Sequence, residues 1–157
     1  MLSLSRRLAL SLLTYSTLTC LMANPAQAQA QAQEFISVKG AGANVREQPS
    51  TKATTLWELN DGYPLQVIQR KSDWLQVKDF EATLGWIYAP RTQKVPHMVI
   101  TAKVANLRAG PTQQHKVVSK LEAQEIVKTL KKSNDWVQVE RSNGQQGWIA
   151  SNLAWGW

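Results

Sequence analysis

The hexapeptide SDWLQV at residues 72–77 recurs as NDWVQV at 134–139, and each copy is followed at the same eight-residue distance by GWI, at 85–87 and 147–149. Trp74 and Trp136 therefore lie 62 positions apart. Upstream, NVREQP at 44–49 is echoed by NLRAGP at 106–111, again 62 positions on. Between 44–87 and 106–149, 11 of 44 positions are identical, where unrelated sequences match at roughly 2 to 3. Three landmarks at one offset mean a duplicated unit. The 157 residues thus divide into two small domains. Units of about 60 residues bury a modest share of their surface and must concentrate apolar area in a few large side chains. Seven tryptophans are available for that.

The N-terminal segment has a different character. Arg6 and Arg7 form a basic start, residues 8–22 an apolar run, and Ala26-Gln27-Ala28 a small-x-small cleavage pattern, together the pattern of a secretory signal peptide over 1–28. The run is too short and polar for a permanent anchor, since a spanning helix needs about 20 apolar residues. Cleavage is expected after Ala28, with Ala30 and Ala32 as alternatives in the repeating Ala-Gln tract. General secretion is the expected route; the Arg6-Arg7 pair keeps twin-arginine export open. Cys20, the one cysteine, follows Thr19 where a lipoprotein pattern has a small residue, and is read as part of the discarded peptide. The mature chain then has no thiol and no disulfide to hold it, so packing must do so. Loss of Arg6 and Arg7 leaves 16 basic against 11 acidic residues, a net charge of +5. In an envelope compartment, such a charge favours anionic polymers and membrane surfaces over nucleic acid as neighbours.

After a low-complexity Ala/Gln linker at 29–34, short β-type alternations follow one another with turn residues between them. The first domain is expected over 35–90, a basic, proline-bounded join over 91–96, and the second domain over 97–157. Each unit reads as about five short strands. A helical reading of 120–132 is rejected because the matching stretch, 58–70, contains Gly62 and Pro64. Asn143-Gly144 between alternating strands predicts a two-residue type I′ hairpin, with Ser142 paired to Gln145. That register places Trp148, and with it Trp86, on the core side. Asn44 and Asn106 are expected to set turns through their side chains.

NVREQPS…WELNDGYPLQVI…DWLQVKD…LGWIY and NLRAGPT…SKLE…DWVQVE…NGQQGWIASNL resemble the bacterial SH3 (Src-homology-3-like) domain family over residues 36–153, in two copies. The resemblance implies an all-β fold of two tandem small SH3-like β-barrels. It also implies a non-catalytic module of envelope and cell-wall proteins. Two departures stand out. Glu47-Gln48 replaces the usual small residue and glycine before Pro49, and Gln124 stands where the first unit has Gly62, so the loops there are expected to differ in shape.

Period-2 alternation puts Leu75 and Val77 on one face and Trp74 and Gln76 on the other, as it does Val137 and Val139 against Trp136 and Gln138. The aliphatic face is the expected core, which turns Trp74 and Trp136 toward a groove or a second packing layer. Arg46 and Arg108, each beside a proline turn, suit tying loop carbonyls or meeting an anionic ligand. Trp57 and Tyr63 occur in the first unit only, their counterparts being Ser119 and Glu125. The apolar tail 153–157 is expected to fold back on the second barrel or to dock on a partner.

The candidate ligand-binding residues are therefore Trp57, Tyr63, Trp74, Trp136, Arg46 and Arg108. No catalytic residue, metal ligand or cofactor site is expected: the two histidines, His97 and His115, have no metal-spaced partner, and there is no glycine-rich phosphate loop. The resulting expectation is a secreted, periplasmic binding or scaffolding module that recognises peptidoglycan or an extended peptide. It has no nucleic-acid partner and no membrane anchor once the signal is removed. An adaptor for another envelope protein, using the tail, is the alternative, ahead of a cell-wall hydrolase.

Overall fold

The computed structural model describes residues 33–157; the signal peptide, its cleavage sites and Cys20 lie outside them. Two seven-stranded antiparallel sheets, with two single-turn 3-10 helices at Ala89–Arg91 and Ser151–Leu153, make up the regular structure of the described residues. The first contains β1 (Phe35–Val38), β2 (Ala43–Arg46), β3 (Thr55–Leu59), β4 (Pro64–Lys71), β5 (Trp74–Lys78), β6 (Leu84–Tyr88) and β7 (Thr92–Gln93). The second contains β8 (His97–Ile100), β9 (Val104–Arg108), β10 (Val117–Glu122), β11 (Ile126–Ser133), β12 (Trp136–Glu140), β13 (Gln146–Ala150) and β14 (Ala154–Gly156). Strand order is β3-β2-β6-β5-β4-β1-β7 in one and β10-β9-β13-β12-β11-β8-β14 in the other, the same path twice. The all-β expectation holds. The duplicated turn motifs differ from it in detail, because Asn44-Val45-Arg46 and Asn106-Leu107-Arg108 are strand residues. Asn44 and Asn106 thus sit within the ladders, paired with Glu58 and Lys120, and set no turn.

Each sheet rolls around its own core. Ile36, Val38, Val45, Leu65, Leu75, Val77 and Ile87, from five different strands, meet in the first cluster. Met98, Ile100, Leu107, Leu121, Val127, Val137, Val139 and Ile149 form the second. Bulges make the rolling possible by bending a strand at one extra residue. They fall at equivalent places in both copies: Leu56 and Val118 in β3 and β10, Ile68 and Leu130 in β4 and β11. The extra residue leaves the inward series, which explains why these four large apolar side chains are exposed.

The hairpin between β12 and β13 is not the predicted two-residue turn. Arg141 N–H donates to the Gln145 carbonyl at 2.9 Å, so three residues make the loop, with Gly144 at φ 82°. The extra residue shifts the pairing by one, and a one-residue shift exchanges the faces of a strand. Val139 pairs with Gly147 and Gln138 with Trp148, while Leu75 pairs with Ile87 and Gln76 with Trp86. Within Gly-Trp-Ile, glycine and isoleucine face the core and tryptophan faces out. Trp86, only 8% exposed, is covered from outside the aliphatic cluster and is not part of it. The glycine is required by close approach: a Cβ on Gly147 would lie 2.6 Å from Leu107 Cγ, and one on Gly85 would collide with Val45.

Left-handed backbone recurs at equivalent positions whether or not glycine is present. Ala82 (φ 64°) matches Gly144, Gln124 (φ 65°) matches Gly62, and Ser72 (φ 53°) matches Asn134 (φ 50°). The Gln124 turn therefore keeps the conformation of its glycine counterpart, contrary to the expected change of shape. Closure of the sheet dictates the backbone there, and the side chain carries the strain.

The tail is structured. β14 pairs with β8, and Trp155 and Trp157 stand 5.1 and 6.1 Å from the Phe35 ring in the first sheet. Trp157 also packs against the first core. The tail thus folds back on the second barrel and holds it to the first. β7, its counterpart, arises from Thr92–Gln93 at the start of the join and pairs with β1. Ser37 Oγ donates to the Val95 carbonyl at 2.9 Å, fixing the join to the first sheet.

Replacing Ala82 or Gln124 with glycine relieves strain of about 1–2 kcal/mol but increases chain entropy. Each variant is expected to gain about 0.5–1 kcal/mol in urea unfolding, whereas Gly147→Ala should lose about 2–3 kcal/mol through overpacking. Destabilisation by Ala82→Gly would contradict this account of the turn.

Candidate functional site

The outward faces of β2, β5 and β6 are where side chains not used by the core collect. Trp74 pairs with Tyr88 across β5 and β6, their ring centroids 5.5 Å apart at 52°. Arg46 pairs with Trp86 on the neighbouring strand. Together with Asn44, Glu58 and Arg91, Trp74, Tyr88 and Arg46 line an open groove of about 500 Å³. Its rim is fixed by Arg46, whose guanidinium donates to the Ala53 carbonyl at 2.7 Å and ties down the loop between β2 and β3. The loop-tying expectation holds for Arg108 as well, which donates to the Gln113 and His115 carbonyls, both at 2.9 Å. The groove is amphipathic: a tilted pair of aromatic rings with two guanidinium-bearing residues and a carboxylate in the same lining.

The second barrel has a depression of about 540 Å³ at the equivalent place, beside Trp136, with Gln113, Asp135, Ala150 and Asn152. Ala150 stands where the first barrel has Tyr88, so Trp136 lacks the second ring. The two depressions share three equivalent lining positions, Thr51/Gln113, Trp74/Trp136 and Tyr88/Ala150, and the second is lined by no arginine.

Trp57 and Tyr63 lie elsewhere. Trp57 pairs with the inward-facing Val45, so it points to the core side and packs against the first cluster along with Tyr63. Both line a third cavity of about 440 Å³, with Asp79, Phe80 and Glu81. Burial and then the nearby Asp79 and Glu81 carboxylates push the Tyr63 phenol up to about 12. The six sequence candidates therefore divide: Trp74 and Arg46 share one groove, Trp136 marks its counterpart, Arg108 braces a loop, and Trp57 and Tyr63 form a separate site. Tyr88, Glu58 and Arg91 are groove residues the sequence reading missed. Tyr88, two places after Trp86, shares its face, which the expected hairpin register turned toward the core. Among the described residues no group of three or more His, Cys, Asp or Glu is placed to hold a metal ion, and no helix is long and apolar enough to cross a membrane.

Two rolled antiparallel sheets with one strand order, each presenting a tryptophan-edged groove, define a tandem of SH3-like β domains. Bacterial SH3 domain models match residues 39–94 and 103–154. The chain belongs to the bacterial SH3 domain family, in two copies. It is also similar to the putative N-acetylmuramoyl-L-alanine amidase YrvJ of Bacillus subtilis (strain 168), 32% identical over 74 residues, which is 47% of this chain and 14% of that protein. Among solved structures, NlpC2 from Trichomonas vaginalis matches at TM-score 0.37 and 13% identity, over 80% of this chain and 48% of that one. An NlpC/P60 family protein from Bacillus cereus ATCC 10987 matches at 0.34 and 16%, over 78% and 56%. The chain thus spans about half the length of these solved chains and a smaller part of the amidase.

Unfolded tyrosine ionises near pH 10, whereas folded Tyr63 keeps its proton to about 12. The unfolded state loses the proton first, so the Tyr63 contribution is complete below pH 10 and is lost as pH rises through 12. The urea midpoint should fall across that window in the wild type, and fall less in Tyr63→Phe.

Proposed function

We propose that this protein is a non-catalytic binding module of the bacterial cell envelope, which holds peptidoglycan or an extended peptide in the Trp74–Tyr88 groove. The observation that carries the reading is the outward aromatic pair: the register exposes two rings that the core does not use, beside Arg46 and Arg91. Stacking on the rings would hold an apolar peptide or sugar face, while the guanidinium groups and Asn44 would meet carbonyl or carboxylate oxygens. The family match and the similarity to a putative N-acetylmuramoyl-L-alanine amidase support a cell-wall ligand. The similar stretch is 14% of the amidase, a proportion suited to an accessory binding unit. The Trp136 depression would add a weaker second contact on the same polymer, and linkage of weak sites raises avidity. The tail, which the adaptor alternative would use as its contact, pairs with β8 and packs on Phe35, which favours the groove over the tail as the binding surface.

In this reading, residues 1–28 direct export and the mature protein works in the periplasm. Cell fractionation should recover it there with a new N-terminus at residue 29, 31 or 33; recovery of the intact chain in the cytoplasm would reject export.

Purified mature protein should co-sediment with isolated peptidoglycan. Trp74→Ala and Tyr88→Ala should each weaken this by about tenfold, or about 1.4 kcal/mol, with little change in unfolding midpoint because both rings face outward. Wild-type protein that stays in the supernatant while capturing one envelope protein would favour the adaptor, and release of wall fragments by the protein alone would make it a hydrolase.

A further inference from the structure

Positions 57, 63 and 79 of the first barrel correspond to 119, 125 and 141 of the second, and the two corners are built from opposite chemistry. In the second barrel, Arg141 donates to Glu125 Oε1 at 2.7 Å and to Ser119 Oγ at 3.0 Å. The pair is shielded, at 24% and 23% side-chain exposure. The second barrel thus fills this corner with a cation of its own.

In the first barrel, the arginine position is Asp79, the glutamate position Tyr63 and the serine position Trp57. No guanidinium occupies the corner, which opens as the 440 Å³ cavity. Gln124 and Ile126 of the second barrel form part of its wall. Glu58, Asp79 and Glu81 line it without a single basic residue, in a chain whose net charge is +7. Asp79 Oδ1 accepts from the Glu81 and Thr83 N–H groups at 3.0 and 2.8 Å, leaving Oδ2 without a partner among the described residues. Trp57, Tyr63 and Phe80 supply aromatic wall, and the buried Trp57 Nε1–H has no acceptor. A buried donor left unpaired is costly; a cation cannot accept from it, but a backbone carbonyl of a peptide that carries the cation would.

We propose that this cavity is a second binding site, which takes an organic cation borne by a peptide: a basic side chain or a free amino terminus. Asp79 and Glu81 provide the counter-charge, and the aromatic walls pack its methylene groups and attract the cation through their faces. The negative potential that helps hold the Tyr63 proton is the same field such a cation meets. The site is separate from the Trp74 groove and does not depend on the peptidoglycan reading.

The test is titration of the mature two-barrel protein, followed by the indole Nε1–H resonance of Trp57 in ¹H–¹⁵N spectra, assigned with Trp57→Phe. Probes are N-acetyl-lysine methylamide, N-acetyl-arginine methylamide, glycinamide, and neutral N-acetyl-norleucine methylamide. At least one cation should produce a saturable shift in the range of about 1–10 mM, and the best of the three names the source. Asp79→Asn, which retains an oxygen for the turn, and Glu81→Gln, whose side chain makes no turn bond, should each weaken binding by about fivefold or more. Trp74→Ala should leave it unchanged. Absence of a saturable shift with all three cations, an equal response to the norleucine compound, or unchanged affinity in a folded Glu81→Gln would each overturn the site.

Discussion

The hairpin register of β5–β6 and β12–β13 is the constraint on which the rest of this structure depends. A three-residue loop ending in a left-handed residue, Ala82 or Gly144, fixes which faces of the four strands turn inward. Leu75, Val77 and Ile87, with Val137, Val139 and Ile149, then close two small cores, and Gly85 and Gly147 admit the neighbouring strand. The same register turns Trp74, Trp86 and Tyr88 to the opposite face, where Trp86 is still buried. A core and an outward aromatic face are therefore two sides of one pairing, and neither can shift without the other.

Duplication preserved this backbone while releasing the side chains. Left-handed turns persist at Gln124 and Ala82 without glycine, which shows that closure of the rolled sheet outweighs the local preference of one residue. By contrast, the corners diverge completely: an internal Arg141–Glu125 pair in one barrel, an acidic aromatic cavity in the other. The grooves diverge too: Ala150 replaces Tyr88 beside the tryptophan, and no arginine lines the second. The tail joins the copies, since Trp155 and Trp157 leave the second sheet to pack on Phe35 and the first core. Gln124 and Ile126 of the second barrel stand beside the cavity of the first, giving it a wall that a lone domain would lack.

Much of the architecture is legible in the amino-acid sequence. The 62-residue period established two copies, alternation assigned the aliphatic faces of β5 and β12, and proline-flanked arginines announced their loop ties. The candidate groove is legible only in part. Sequence pattern singles out Trp74 and Arg46, which share one groove, and Trp136, which edges its counterpart; Trp57 and Tyr63 line a different cavity, and the place of Tyr88 beside Trp74 follows only from the strand register.

What the amino-acid sequence determined by itself is what local, repeating physics controls: strand periodicity, the duplicated plan and the family. Tertiary structure alone decided that Trp86 and Trp148 face outward, because one more loop residue reverses a strand and Asn-Gly is compatible with both loop lengths. It alone brought Trp57, Tyr63 and Asp79 together with Gln124, and seated the tail on Phe35. Those contacts join residues far apart in the chain, through a sheet curvature set by its bulges and by packing against the other copy.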